Sequence, residues 1–247
     1  MVMYKISAVS YLNSLPFIYG LKKSKLINLM HLQLDYPALC ADKLISAEVD
    51  IALVPVTVIP KLKYYNIISN YCIGADGAVD TVCLYSDVPI NEVKKIALDY
   101  QSRTSVFLLK LLLKEYWNLN PELVKAEFGF ENTIQDKNAA LVIGDRAFDL
   151  NNKYKYIYDL SEIWNEMTGL PFVFACWVTI KKLPDQFIED FNIALKYGLK
   201  NINKAILSES DNYTYYTRSR EYLNHKISYI LDEDKQRGME LFLKKII

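Results

Sequence analysis

The chain has 247 residues, of which 51% are hydrophobic, and its 29 Lys and Arg balance 29 Asp and Glu for a formal net charge of +0 at pH 7. That hydrophobic share is ample for the cores of one large domain or two modest ones, and it excludes extensive disorder. The even charge balance disfavours a nucleic-acid role, and Lys and Asp interrupt every apolar segment before it could span a bilayer.

A strand-like run, Lys5 to Val9, comes almost at once, without the charged, apolar and small-residue segments of a secretion signal, so a cytoplasmic location is expected. Ser10 to Ser14 then lead to Pro16 and a short helix, Leu15 to Leu21, whose start would favour anions. Leu29 to Leu34 alternates like a strand, and Pro37 to Ala47 reads as a helix with Pro in its first turn. Ile51 to Val56 is continuously apolar, as suits a strand buried on both faces. Alternating β and α of this kind implies a parallel sheet covered by helices.

Ile67 to Ile73 and Val79 to Tyr85 follow as strands around the loop from Gly74 to Gly77. Ile96 to Leu98 opens a second series: a helix from Thr104 to Tyr116, strands near Val124 to Phe128, Ala140 to Ile143 and Ile157 to Tyr158, and a helix from Leu160 to Met167. Phe172 to Ile180 reads as a strand returning to the first series. From Pro184 the chain reads as helical throughout, with Asp185 as an N-cap and Phe187, Phe191, Leu195 and Leu199 recurring every fourth residue. Spacing alone supports an α/β chain with a two-part division.

Cys40, Cys72, Cys83 and Cys176 sit in apolar contexts without C-x-x-C spacing and read as reduced core thiols. No H-E-x-x-H, His and Cys cluster, EF-hand repeat, G-x-G-x-x-G or P-loop occurs, so no metal and no nucleotide or flavin cofactor is expected.

Several segments then occur in a fixed order: Ser10-Tyr11-Leu12-Asn13-Ser14-Leu15-Pro16 with Tyr19-Gly20-Leu21; Asp50 to Val56; Leu98-Asp99 with Ser102-Arg103-Thr104-Ser105; Ala140 to Ala147, containing Gly144-Asp145-Arg146; and Tyr158-Asp159-Leu160 with Thr168 to Ala175. Together they resemble the chorismate dehydratase family of the futalosine route to menaquinone. The resemblance runs from about Lys5 to Val178 and is looser in the C-terminal helices. It implies a two-lobe α/β fold like that of type II periplasmic binding proteins, with mixed, largely parallel sheets and a ligand cleft between the lobes. Lobe I would comprise residues 1–84 and 177–247, and lobe II the inserted residues 85–176. It also implies a lyase that converts chorismate, a small dicarboxylate, to 3-[(1-carboxyvinyl)oxy]benzoate and water, with no cofactor and no nucleic-acid or membrane partner.

Asn13 taken alone reads as an N-cap, and the resemblance makes it substrate-facing, its amide offering both donors and an acceptor. Ser102, Arg103, Thr104 and Ser105 open a helix after a strand, where N–H groups and hydroxyls suit either a plain cap or a carboxylate cradle, and the resemblance favours the cradle. Arg103 would add a charged fork, face solvent or pair with Asp99. Gly144 lets a ligand approach a strand end, while Asp145 reads chiefly as a cap for the next helix. Thr81 stands where the family carries Ser, keeping the hydroxyl and adding a methyl, although a β-branched residue there also simply suits a strand. The resemblance makes Asn13 and Thr81 the catalytic orienting groups, with Tyr11, Pro55, Val56, Thr57, the Ser102 to Ser105 segment, Gly144 and Asp145 binding substrate.

Three other classes compete. A solute-binding protein for small anions would share this logic but normally carries a secretion signal. A 1,4-dihydroxy-6-naphthoate synthase-like enzyme should place a His in its pocket, whereas His31 and His225 lie outside the segments above. A transcription-factor effector domain would need a DNA-binding module, for which no room is expected before Lys5.

Overall fold

The computed structural model describes residues 3–151, 153–210 and 212–246 and, at Tyr213, the backbone alone. The strands in chain order are β1 (Tyr4–Val9), β2 (Met30–Asp35), β3 (Ile51–Pro55), β4 (Asn66–Ala75), β5 (Val82–Ser86), β6 (Lys95–Leu98), β7 (Glu122–Lys125), β8 (Asn138–Ile143), β9 (Tyr156–Asp159), β10 (Phe172–Thr179) and β11 (Ser228–Ile230). The helices are α1 (Leu15–Lys22), α2 (Pro37–Ile45), α3 (Thr104–Glu115), α4 (Leu160–Thr168), α5 (Asp185–Lys200), α6 (Ile202–Glu209), α7 (Tyr213–Glu221) and α8 (Glu233–Ile246). Among the described residues, no helix is long and apolar enough to cross a membrane.

The chain divides into two units, Met1–Gly74 with Val173–Glu233 and Ala75–Phe172 with Asp234–Ile247. The first holds a six-stranded sheet in the order β11-β4-β10-β3-β1-β2. β1 runs parallel to β2 and β3, as expected of β-α-β crossovers, while β10 returns antiparallel to β3. β3 is buried at every position, matching its unbroken apolar run. Helices α1 and α5 cross through small residues: a Cβ added at Gly20 would lie 2.0 Å from the Ala194 carbonyl oxygen, and one added at Gly198 only 1.8 Å from that of Pro16. Only glycine permits this approach of two backbones.

The second unit holds a five-stranded sheet in the order β7-β6-β8-β5-β9. β6 is parallel to β7 and β8, and β5 is antiparallel to both of its neighbours, β8 and β9. Both sheets are therefore mixed. β5 lies entirely within the second sheet, so its residues leave the first unit earlier than the expected break after residue 84.

Three further expectations change. The region after Pro184 is not wholly helical, because Ser228–Ile230 forms β11 and pairs antiparallel with β4. Pro184, not Asp185, holds the N-cap position of α5; Asp185 lies in the first turn, where its charge suits the helix dipole. Helix α8 belongs with the second unit, not the first. The Phe242 ring packs 4.9 Å from Phe172 and 5.8 Å from Trp164, and Lys245 pairs with Glu115 at 2.6 Å.

Candidate functional site

In the first unit, the expected residues gather at one edge of the sheet. β1 and β3 are adjacent and parallel, so the turn after Val9 and the segment after Val54 leave the sheet on the same side. Pro55 ends β3, and Val56 and Thr57 open a buried 3-10 turn. Leu12–Ser14 form another such turn, preceded by the half-buried Tyr11, and the chain passes directly into α1.

Asn13 does not cap α1, because it lies inside the turn and Ser14 occupies the cap position. The turn is held instead by the Ser14 hydroxyl, which donates within reach of the Val9 and Tyr11 carbonyls, and by the Tyr229 hydroxyl, which donates to the Asn13 carbonyl at 2.9 Å. Burial pushes the Tyr229 hydroxyl far above its ordinary pKa, with nearby Tyr222 adding to it, so it remains a donor. The Asn13 side-chain oxygen is buried and has no hydrogen-bond partner among the described residues. An unmet buried acceptor costs about 1–3 kcal/mol, which a ligand donor would recover.

In the second unit, β6 and β8 are parallel neighbours, and antiparallel β5 starts beside the end of β8. One sheet edge thus collects Asp99 to Ser105 after β6, Gly144 and Asp145 after β8, and Thr81 before β5. The Thr81 carbonyl accepts the Gly144 N–H at 2.9 Å. Gly144 has φ 68°, a left-handed backbone that glycine adopts without strain. Ser102 behaves as a cap: its hydroxyl oxygen accepts the Ser105 N–H at 3.1 Å. Thr104 and Ser105 are buried in the first turn of α3, and Arg103 is half-buried at its N-cap position. Asp145 does not take the cap position of the following 3-10 turn, which Ile143 holds; it is exposed within the first turn.

Two aspartates organise this edge. The Asp99 side chain is fully buried, and its Oδ2 accepts from the Ile143 N–H at 3.0 Å and from Arg146 at 2.5 Å, while Oδ1 accepts the Gln101 N–H at 2.9 Å. Arg146 also reaches Glu131 at 2.6 Å, its guanidinium lying 5.6 Å from both the Tyr100 and Phe130 ring centres. The cation that pairs with Asp99 is thus Arg146, a partner the sequence reading did not name. Burial raises the Asp99 carboxyl above its ordinary range, and Arg146 and the two N–H groups pull it back in part. Asp159 ends β9 and accepts four backbone N–H groups, from Val79, Asp80, Ser161 and Glu162.

The four thiols are buried; burial pushes Cys40 and Cys176 up to about 12 and raises Cys83 well above the ordinary thiol range, so these three are not thiolate nucleophiles near neutral pH. Among the described residues, no group of three or more His, Cys, Asp or Glu could hold a metal ion. Of the residues that organise the site, Ser14, Arg146 and Asp159 lie within the motif segments, whereas Tyr229 carries no local signal.

The chain is 26% identical over 199 residues to the chorismate dehydratase of Thermus thermophilus, covering 73% of each chain. It is 28% identical over 232 residues to that of Campylobacter jejuni, covering 89% of each. A solved structure from Archaeoglobus fulgidus matches with a TM-score of 0.76 at 15% identity, over 98% of this chain and 96% of its own. A Candida albicans protein described as having the generic periplasmic binding protein fold matches with a TM-score of 0.61 at 12% identity, over 100% of this chain and 90% of its own. These structural likenesses establish the fold as periplasmic-binding-protein-like. The model of the family described as menaquinone biosynthesis matches residues 4–246, nearly the whole sequence, and the chain therefore belongs to that family.

Proposed function

We propose that this protein is a chorismate dehydratase, a hydro-lyase that converts chorismate to 3-[(1-carboxyvinyl)oxy]benzoate and water. The observation that carries this reading is similarity along most of the chain to two chorismate dehydratases. The chemistry asks little of the protein. The C–H bond at the ring carbon bearing the enolpyruvyl ether breaks, its electron pair completes the aromatic ring, and the neighbouring hydroxyl leaves with a proton as water. Aromatisation drives the step, so the substrate's own enolpyruvyl carboxylate suffices to take the ring proton.

The protein's share is then positioning and charge cradling. The Asn13 amide, with its unmet buried oxygen, and the Thr81 hydroxyl orient the reacting groups. The start of α3, from Ser102 to Ser105, cradles a carboxylate with N–H groups and hydroxyls at the positive end of the helix dipole. Tyr11, Pro55, Val56, Thr57, Gly144 and Asp145 supply the surrounding surface.

The test is to incubate purified protein with chorismate and follow the product by ultraviolet absorbance and mass, expecting an aromatic product lighter by one water. Folded protein that leaves chorismate unchanged refutes the proposal, and binding without conversion would instead indicate a solute-binding protein.

A further inference from the structure

We propose that Asp159 is a positioning residue for Thr81, its buried carboxylate clamping the Val79–Asp80 turn that delivers Thr81 to the edge of the second sheet. This deepens the dehydratase reading and rests on it. The geometry is a division of labour between two oxygens. Oδ1 accepts the Ser161 and Glu162 N–H groups at 2.9 and 3.2 Å and so caps α4. Oδ2 accepts the Val79 and Asp80 N–H groups at 2.8 and 2.6 Å, across a separation of about 80 residues in the chain.

A cap needs only the first pair. The second pair holds a turn with an uncommon backbone, because Asp80 has φ 63° in the left-handed region. Two consecutive N–H groups converging on one anionic oxygen stabilise that turn. Thr81 follows directly, is 1% exposed, and accepts the Gly144 N–H through its carbonyl before β5 begins at Val82. Cys83 Sγ lies 3.8 Å from the same Oδ2, so the acceptor is surrounded by donors.

Four N–H donors on two oxygens can be served by a carboxylate and not by a carboxamide. Asn at this position has one acceptor oxygen; if that oxygen caps α4, its NH2 group meets the Val79 and Asp80 N–H groups donor to donor. Asp159→Asn therefore keeps the cap and unfastens the turn. Asp159→Ser caps α4 equally well and leaves the turn unheld without that clash, so it serves if the Asn variant fails to fold.

The experiment measures chorismate turnover and backbone amide exchange in the wild type, both variants, and each variant combined with Thr81→Ala. We expect kcat to fall by roughly 10- to 100-fold, as for a displaced positioning group, with KM changing less than about threefold. In the Thr81→Ala background the same substitutions should cost less than about twofold, because the group they positioned is gone. Amides of Val79 and Asp80 should exchange faster while those within α4 do not. An unchanged kcat, or an equal loss with and without the Thr81 hydroxyl, overturns the inference while leaving the dehydratase reading intact. A folded wild type without turnover overturns that reading and the catalytic part of this one. Unaltered exchange at Val79 and Asp80 overturns the clamp whatever the activity.

Discussion

Replacing Gly198 by Ala should weaken the first unit and also slow turnover, although Gly198 sits on α5 and the proposed site residue it affects sits before α1. The added Cβ would stand 1.8 Å from the Pro16 carbonyl oxygen and 3.0 Å from the Gly20 nitrogen. A carbon approaches a carbonyl oxygen no closer than about 3.3 Å, so the two helices must part by roughly 1.5 Å at their crossing. Both partners are backbone, and no side-chain rotamer can absorb the strain, which places the cost near the top of the overpacking range, about 3 kcal/mol. Helix propensity returns about 1 kcal/mol, since Ala is the better helix former. The net loss of about 2 kcal/mol corresponds to a fall in Tm of roughly 4–8 °C in a chain of this size. Because Asn13 lies in the turn that runs straight into α1, displacement of Pro16 carries Asn13 with it, and a misplacement of about 1 Å can lower kcat up to about 100-fold. Calorimetry and chorismate turnover read the two effects. Gly129→Ala is the control: nothing lies within 4 Å of its added Cβ, so it pays only for a left-handed backbone, about 1 kcal/mol, and should leave turnover alone. A Gly198→Ala protein that melts at or above the wild-type temperature would refute the close crossing, since propensity alone would then have acted.

Other expectations follow from the site. Asn13→Asp should fold normally but lose most turnover of a dianionic substrate, because the amide donor disappears and a like charge enters a buried position; near-wild-type kcat/KM would remove Asn13 from the site. Ser102→Ala should cost about 1 kcal/mol through the lost cap on α3, whereas Thr104→Val should raise KM about tenfold if its hydroxyl meets a carboxylate; a Thr104→Val protein with unchanged KM would contradict the cradle. Arg146→Met should destabilise the protein by about 3 kcal/mol near neutral pH, since it strips the cation from the buried Asp99. The pH dependence has a definite sign. Burial already raises the Asp99 carboxyl in the folded state, so its contribution is fully present below the unfolded-state pKa and is lost as pH rises through the folded-state value. Removing Arg146 raises that folded value further, so the variant should regain stability on acidification; melting curves for variant and wild type that stay parallel across pH would show that Asp99 is not the group responsible.

Much of this architecture is written locally. Apolar runs such as Ile51–Pro55, the Pro at the start of α2 and the polar residues after each strand are short-range signals, set by backbone propensity and by the need to satisfy the first N–H groups of a helix. They were enough to place Asn13, Pro55 to Thr57, Ser102 to Ser105 and Gly144 at strand ends, and the order of the motifs was enough to point to the family. What they left open was which group satisfies which. Asp99 reaches Arg146 across 47 positions, Asp159 reaches Val79 across 80, and Tyr229 reaches Asn13 across 216. The same applies to α8, whose amphipathic pattern is indifferent to the unit it joins until Phe242 meets Trp164 and Phe172, and to β11, three residues long and too short for any period to show. Local preference is summed over one or two turns of chain, whereas a buried charge or ring is stable only beside a partner that the fold itself brings near, and so the anchors of the site were decided by tertiary structure alone.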